Sequence, residues 1–282
     1  RRTGSMWSTP KTVVSGNDFF GNWADVPSIV KISDGTLACH WLRRSAGAPY
    51  SYDVNVVVSR DDGVSWSKPV KPHGDTTKTE HGFASFFEAE GKTAGLVWLD
   101  GRKMTPESHD HGGGNMTLRA VTIDRDARLG AEIELDDRVC ECCPTAATAT
   151  KNALIVAYRN RSEDEVRDIY ILRSVAGTWS KPFEVRSDGW QIPGCPVNGP
   201  ALCSRGRDVA VAWFTAADGK ACVFLAFSHD EGASFGTSIR VDAGKPLGRV
   251  ALAMLPDKSV LVLWIEYRQD GGELLVRRVW SN

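Results

Sequence analysis

Apolar residues in this chain come in short runs broken by Gly, Asp, Ser and Pro. That is the pattern of strands and turns rather than of helices. Asn55-Val56-Val57-Val58 reads as a buried strand, and Trp66-Ser67-Lys68-Pro69-Val70 begins the next. Between them Ser59-Arg60-Asp61-Asp62-Gly63-Val64-Ser65-Trp66 predicts a tight hairpin turn. Asp61 accepts hydrogen bonds from the turn's own backbone, Gly63 supplies a positive φ, and Trp66 folds back as an apolar plug. The turn recurs at Ser228-His229-Asp230-Glu231-Gly232-Ala233-Ser234-Phe235, and in reduced form at Ser174-Val175-Ala176-Gly177-Thr178-Trp179. Trp179-Ser180-Lys181-Pro182 and Trp7-Ser8-Thr9-Pro10 repeat the sequel of the first copy. Recurrence on this scale predicts a repeat protein.

A second mark fixes the register. An aromatic closes the second strand of each repeat, at Trp41, Trp98, Tyr158, Trp213 and Trp264, 51 to 60 residues apart. This spacing suits four short strands plus loops, slightly longer than a common propeller blade. Repeat one runs from Ser28 to Val70; the next four begin at Phe83, Thr145, Pro200 and Val250. The last recognisable strand, Glu273–Val279, has no outer neighbour of its own. The orphan strand Trp7–Val14 is expected to supply it and so close the ring.

The repeated turns resemble the Asp box (S-x-D-x-G-x-x-W) of the sialidase-like, BNR-repeat β-propellers, and the resemblance covers nearly the whole chain. It implies an all-β fold: a single propeller of four-stranded antiparallel blades. Five repeats are legible here, where the family usually has six. Residues 7–282 form the propeller domain in this reading, and residues 1–6, ending on Met6, read as an added leader. The Asp box speaks for architecture rather than activity, since in the family it lies on the face opposite the active site.

Composition narrows the partners. With 282 residues, 10 Trp, 27 Gly and a net charge of −1, the chain matches a soluble all-β enzyme or binding protein. It has no charge excess suited to nucleic acid. No apolar run reaches the ~18–20 residues of a membrane span, and no segment reads as a signal peptide. The 7 Cys show no zinc-finger spacing. Cys140, Cys142 and Cys143 lie in the loop beside the one that carries Cys195, which predicts a disulfide and a periplasmic or secreted location. Cys39, Cys203 and Cys222 fall in strand patterns and read as small buried apolar residues.

Candidate chemistry gathers in the loops of one propeller face. The blade-to-blade loops are Asn17–Pro27, Lys71–Phe83, Asp136–Thr145, Ser187–Pro200 and Asp242–Val250. Aligning the starts of the inner strands puts Asp25, His81, Cys142 and Asn198 at equivalent places around the axial mouth, with Arg249 near its edge. Asp25, His81 and Cys142 would then form a copper or zinc site, redox active in one version of this reading. The plainer alternative makes them hydrogen-bond partners for neighbouring loops. His109-Asp110-His111 is a further metal-binding loop or a solvated tip.

The resemblance sets a different expectation. A sialidase needs three arginines around the substrate carboxylate, a Tyr–Glu nucleophile pair and an Asp acid/base. The first arginine belongs to a Phe-Arg-Ile-Pro motif, but here the matching stretch is Ala24-Asp25-Val26-Pro27. Asp25 in the arginine's place would repel a sialic acid. The catalytic candidates are Asp25, Glu80, His81, Arg159, Arg249 and the pair Glu266-Tyr267, with Arg161 and Arg268 in suitable loops. Trp23, Tyr50, Tyr52, Trp190 and Asn198 would bind substrate, the aromatics by stacking on sugar rings. The expected protein is therefore sialidase-like and directed at a glycan or small molecule, an enzyme more readily than not, but no true sialidase. The alternative is the metal-binding propeller.

Overall fold

The computed structural model of this chain describes residues 2–3, 5–104, 113–268 and 271–281. The His109-Asp110-His111 segment lies outside the described residues. A short hairpin, β1 (Arg2–Thr3) with β2 (Met6–Trp7), precedes five antiparallel sheets that follow the five sequence repeats. Blade one is β3 (Ser28–Lys31), β4 (Leu37–Arg44) and β5 (Tyr52–Ser59). Blade two is β6 (His81–Ala89), β7 (Thr93–Met104), β8 (Gly114–Ile123) and β9 (Ile133–Val139). Blade three runs β10 (Ala146–Ala149), β11 (Leu154–Arg159), β12 (Ile169–Val175) and β13 (Thr178–Trp179), with β14 (Phe183–Glu184) also on β12. Blade four is β15 (Ala201–Arg205), β16 (Asp208–Thr215), β17 (Cys222–Ser228) and β18 (Ile239–Arg240). Blade five is β19 (Pro246–Met254), β20 (Val260–Arg268) and β21 (Gly271–Val279).

Both complete Asp boxes use the same bonds. Ser59 Oγ donates to Asp61 and accepts from Gly63 N, while Asp61 also accepts from the main chain and hydroxyl of Ser65 at 2.8 and 2.6 Å. Ser228, Asp230, Gly232 and Ser234 repeat every one of these contacts. The residue ahead of each glycine, Asp62 or Glu231, shares its positive φ, so the turn needs two left-handed positions. The reduced copy is a two-residue hairpin with Ala176 and Gly177 both left-handed, the geometry that matches strand twist.

The core lies between blades. Separate apolar clusters join blade one to two, two to three, three to four and four to five. Trp98, Tyr158, Trp213 and Trp264 are among their largest members, and burial obliges them to place their polar atoms. Trp98 Nε1 donates to Asp100, Trp213 Nε1 to Asp188 and Trp264 Nε1 to Glu266, and the Tyr158 hydroxyl donates to Asp136. Trp41 is equally buried, but its indole N–H has no partner.

The expected closing strand does not form among the described residues. Trp7 pairs with Arg2 and lies 75% exposed, residues 8–14 carry no strand, and β21 pairs with β20 alone. A local hairpin needs little loop-closure entropy, and Pro10 offers no N–H to a ladder. Blade five is three-stranded as a result; blade one is three-stranded because its outer segment makes only the isolated bridge Val56–Val70, and blade three carries a fifth strand in place of the uniform four.

Candidate functional site

Two residues that precede first strands of blades make parallel contacts. Asp25, just ahead of β3, accepts the main-chain N–H of Phe83 at 2.5 Å. Asn198, just ahead of β15, accepts the main-chain N–H of Arg249 at 2.8 Å. Phe83 and Arg249 both have positive φ, a strained state for non-glycine residues that needs outside support. Each clip thus holds the opening of the next blade's inner strand.

The Asp25 clip adjoins a Tyr–Glu pair. Tyr52, the first residue of β5 and fully buried, donates its hydroxyl to Glu80 Oε1 at 2.7 Å. Gly82 is required beside them: a Cβ there would lie 2.4 Å from Asp25 Oδ2 and 2.6 Å from the Tyr52 ring. Burial pushes the Asp25 carboxyl up to about 7, against the bond from Phe83. Burial also lifts Glu80 to about 7, helped by Asp25 and Glu141 and opposed by the Tyr52 hydroxyl. Burial and then both carboxylates raise Tyr52 well above the usual phenol range. Both carboxyls are therefore raised into the neutral range, mainly by burial.

His81 does not join Asp25 and Cys142 at a shared point, contrary to the expected metal site. β6 turns its side chain the other way, between blades one and two. His81 Nδ1 lies 3.3 Å and His73 Nε2 3.5 Å from Asp53 Oδ1, and the two rings stack at 4.1 Å. Asp75 lies 3.0 Å from His81 Nε2 on the far side, and Lys71 pairs with Asp53. Burial opposes the charge on His81, but Asp53, Asp100 and Asp75 outweigh it and raise its pKa. Burial likewise opposes ionisation of Asp53, which His73, His81 and Lys71 nevertheless hold far below the usual range. Asp53 and His73 escaped the sequence reading; the one signal was an acid placed next to Tyr52 at the end of an apolar strand.

The thiols form a group of their own. The Sγ atoms of Cys140, Cys142 and Cys143 all lie within 4.8 Å of one another. All seven cysteines are free, so the expected disulfide is absent, although Cys195 does come alongside Cys142. Cys222 is buried as expected; Cys39 and Cys203 are only partly so.

Most of the arginines are already committed. Arg159 is buried and donates to the carbonyls of Asn198, Arg167 and Phe214, so it ties loops together rather than facing a ligand. Arg161 and Arg167 both grip Glu141 and Glu165. Arg249 lies over the Trp23 ring at 4.0 Å. Glu266 and Tyr267 do not pair, because neighbours on a strand face opposite ways: Glu266 is buried against Trp264 and Tyr267 is 49% exposed. Trp190 is buried between blades four and five, edge-on to Phe214. Trp23 and Tyr50 remain at the surface, 76% and 46% exposed.

The fold has relatives among solved structures. A Dyadobacter fermentans protein of unknown function is 17% identical with a TM-score of 0.57, over 93% of this chain and 81% of its own. The intramolecular trans-sialidase of Ruminococcus gnavus, solved with oseltamivir carboxylate, is 11% identical with a TM-score of 0.58, over 91% and 84%. The GH93 α-L-arabinofuranosidase of Fusarium graminearum, solved with arabinobiose, is 13% identical with a TM-score of 0.54, over 86% and 76%. Identities this low establish a sialidase-like β-propeller fold and not an activity. No curated protein matches the chain. The BNR repeat-like domain family matches residues 1–245, a span that holds both complete Asp boxes and the first four blades. The chain belongs to that family of BNR-repeat proteins.

Proposed function

We propose that the axial mouth binds a neutral glycan and acts on it hydrolytically, with Glu80 as the proton-transferring group. The hydrogen bond from Tyr52 to Glu80 carries this reading. It fixes the carboxyl in one orientation, and a carboxyl raised to about 7 can give up a proton near neutral pH. Burial does most to raise Glu80, and Asp25 acts as a positioning residue by clipping Phe83 N beside the Tyr52–Glu80 pair. Trp23, which carries Arg249 on one face, and Tyr50 are exposed aromatics suited to sugar stacking.

Sialic acid is disfavoured. Asp25 stands where the family places its first arginine, while Arg159, Arg161 and Arg167 are bound to protein groups. The solved arabinofuranosidase relative shows that this fold also serves a sugar without a carboxylate. Residues 7–282 would act as one domain, and a glycan substrate fits a periplasmic or secreted protein. Turnover should be measured on aryl furanosides and pyranosides beside an α-sialoside. We expect Glu80→Gln to lower kcat/KM on the preferred neutral substrate by about 100-fold or more. Sialoside turnover that survives Glu80→Gln would overturn the reading.

A second reading keeps a metal but moves it. The ligand atoms of Asp53, His73 and His81 lie within 4.8 Å of one another, and both His73 nitrogens and His81 Nδ1 are buried without a hydrogen-bond partner. Two imidazoles and a carboxylate suit zinc or copper, with Asp75 orienting His81 from behind. Metal content that is lost in His73→Ala would support it.

A further inference from the structure

The loop between β9 and β10 concentrates soft donors in a way that neither reading uses. Cys140 Sγ lies 3.3 Å from Cys143 Sγ and 3.9 Å from Cys142 Sγ. A tetrahedral thiolate site with Zn–S bonds of ~2.3 Å places its sulfurs ~3.8 Å apart. The observed separations are near this spacing and well beyond the ~2.05 Å of a disulfide bond. We propose that Cys140, Cys142 and Cys143 bind one thiophilic d10 cation, Cu(I) or Zn(II).

The surroundings fit a bound thiolate cluster. Cys140 and Cys143 are almost wholly buried, and Cys142 is partly exposed, which leaves an approach from the mouth. Arg167, which also pairs with Glu141 and Glu165, donates to Cys140 Sγ at 3.2 Å and so satisfies one lone pair of that sulfur. The loop is held at both ends: Cys140 N donates to Arg159 O at 3.0 Å, and the Thr145 hydroxyl to Phe83 O at 2.8 Å. Gly199 lets the Cys195 loop press against this one, because a Cβ there would lie 2.0 Å from Pro144 O. Cys195 is the exposed fourth thiol. Cu(I) is satisfied by three thiolates, whereas Zn(II) calls for a fourth ligand that Cys195 can provide.

The test uses the full chain, reduced and handled without oxygen, titrated with Zn(II) alone and with Cu(I) alone against a chromophoric chelator. We expect one equivalent to bind and Cys142→Ser to weaken binding by ~100-fold or more. Cys203→Ser, in a strand away from the loop, should leave binding unchanged. Cys195→Ser should weaken Zn(II) and spare Cu(I), so it separates the two ions. Co(II) loaded in place of zinc should show intense thiolate-to-metal charge-transfer bands that Cys142→Ser removes. Because Cys142 is the least buried of the three, its variant should fold, which a matching thermal melt verifies. Failure to bind either ion with all thiols reduced would overturn the proposal, as would binding unaffected by Cys142→Ser. Neither result bears on Glu80, so the glycan reading stands or falls separately.

Discussion

Asp25 accepts the main-chain N–H of Phe83 at 2.5 Å and so joins the opening of blade one to that of blade two. Asn198 does the same for Arg249 between blades four and five. Asp25 and Asn198 thus serve as clips between neighbouring blades. A carboxylate buried for this purpose carries a cost that varies with pH.

That cost gives a signed prediction. Asp25 sits at about 7 in the folded protein and near 3.8 when unfolded. Below the lower value both states are protonated. Between the two, the unfolded chain ionises while the fold keeps its proton, so stability falls as pH rises and levels off above about 7. The loss is on the order of 4 kcal/mol at most. Asp25→Asn keeps the acceptor and should flatten this part of the stability–pH curve in urea titrations. An unchanged slope in that variant would refute the assignment.

Tyr52→Phe tests the pair beside it. The variant removes one hydroxyl and leaves Glu80 without its donor, which should cost about 1–3 kcal/mol. Losing the hydrogen bond should also raise Glu80 further and so move the alkaline limb of any pH–rate profile upward. Chemical denaturation reads the first effect and steady-state kinetics the second.

The register tryptophans allow a matched comparison. Trp98 and Trp41 are both buried, but only Trp98 donates its indole N–H, to Asp100 at 2.9 Å. Replacement by Phe removes similar bulk from each. Trp98→Phe should be the more destabilising by about 1–2 kcal/mol, as read from paired unfolding curves. Equal losses would mean that the indole bond contributes nothing.

Gly199 should tolerate no side chain, because its neighbour is rigid backbone rather than a movable side chain. We expect Gly199→Ala to cost about 3 kcal/mol or more, through forced separation of two loops. Gly74→Ala, which meets nothing within 4 Å, is the control and should stay near wild type. Thermal melts of the two variants give the answer.

Much of the fold was legible because its signals are local. A Ser, an Asp and a Gly at fixed spacing can satisfy one turn by themselves, and both complete copies do so with the same bonds. The aromatics at Trp98, Tyr158, Trp213 and Trp264 marked second strands correctly, since a large apolar body there must fill the space between blades. Asp25 and Asn198, set side by side by the inner-strand alignment, each accept a main-chain N–H from the next blade.

Side-chain direction was what the alignment lacked. The alignment gave Asp25, His81 and Cys142 one register position, yet the β-bulge between Gly82 and Ser85 and the left-handed Phe83 alter the local path. His81 turns toward Asp53 and His73, and Cys142 toward the other thiols. Glu266 and Tyr267 were read as a pair from adjacency, which on a strand guarantees opposite faces. The Tyr–Glu pair that forms joins residues 52 and 80, from different blades.

By itself, then, the sequence determined the repeat, the turns, the blade order and the family, because each rests on contacts within one repeat. Tertiary structure alone decided which acids share a proton environment, which arginines are committed and where the thiols gather. Those outcomes depend on burial and on contacts between blades, and no spacing along one chain encodes how two packed surfaces divide their polar groups.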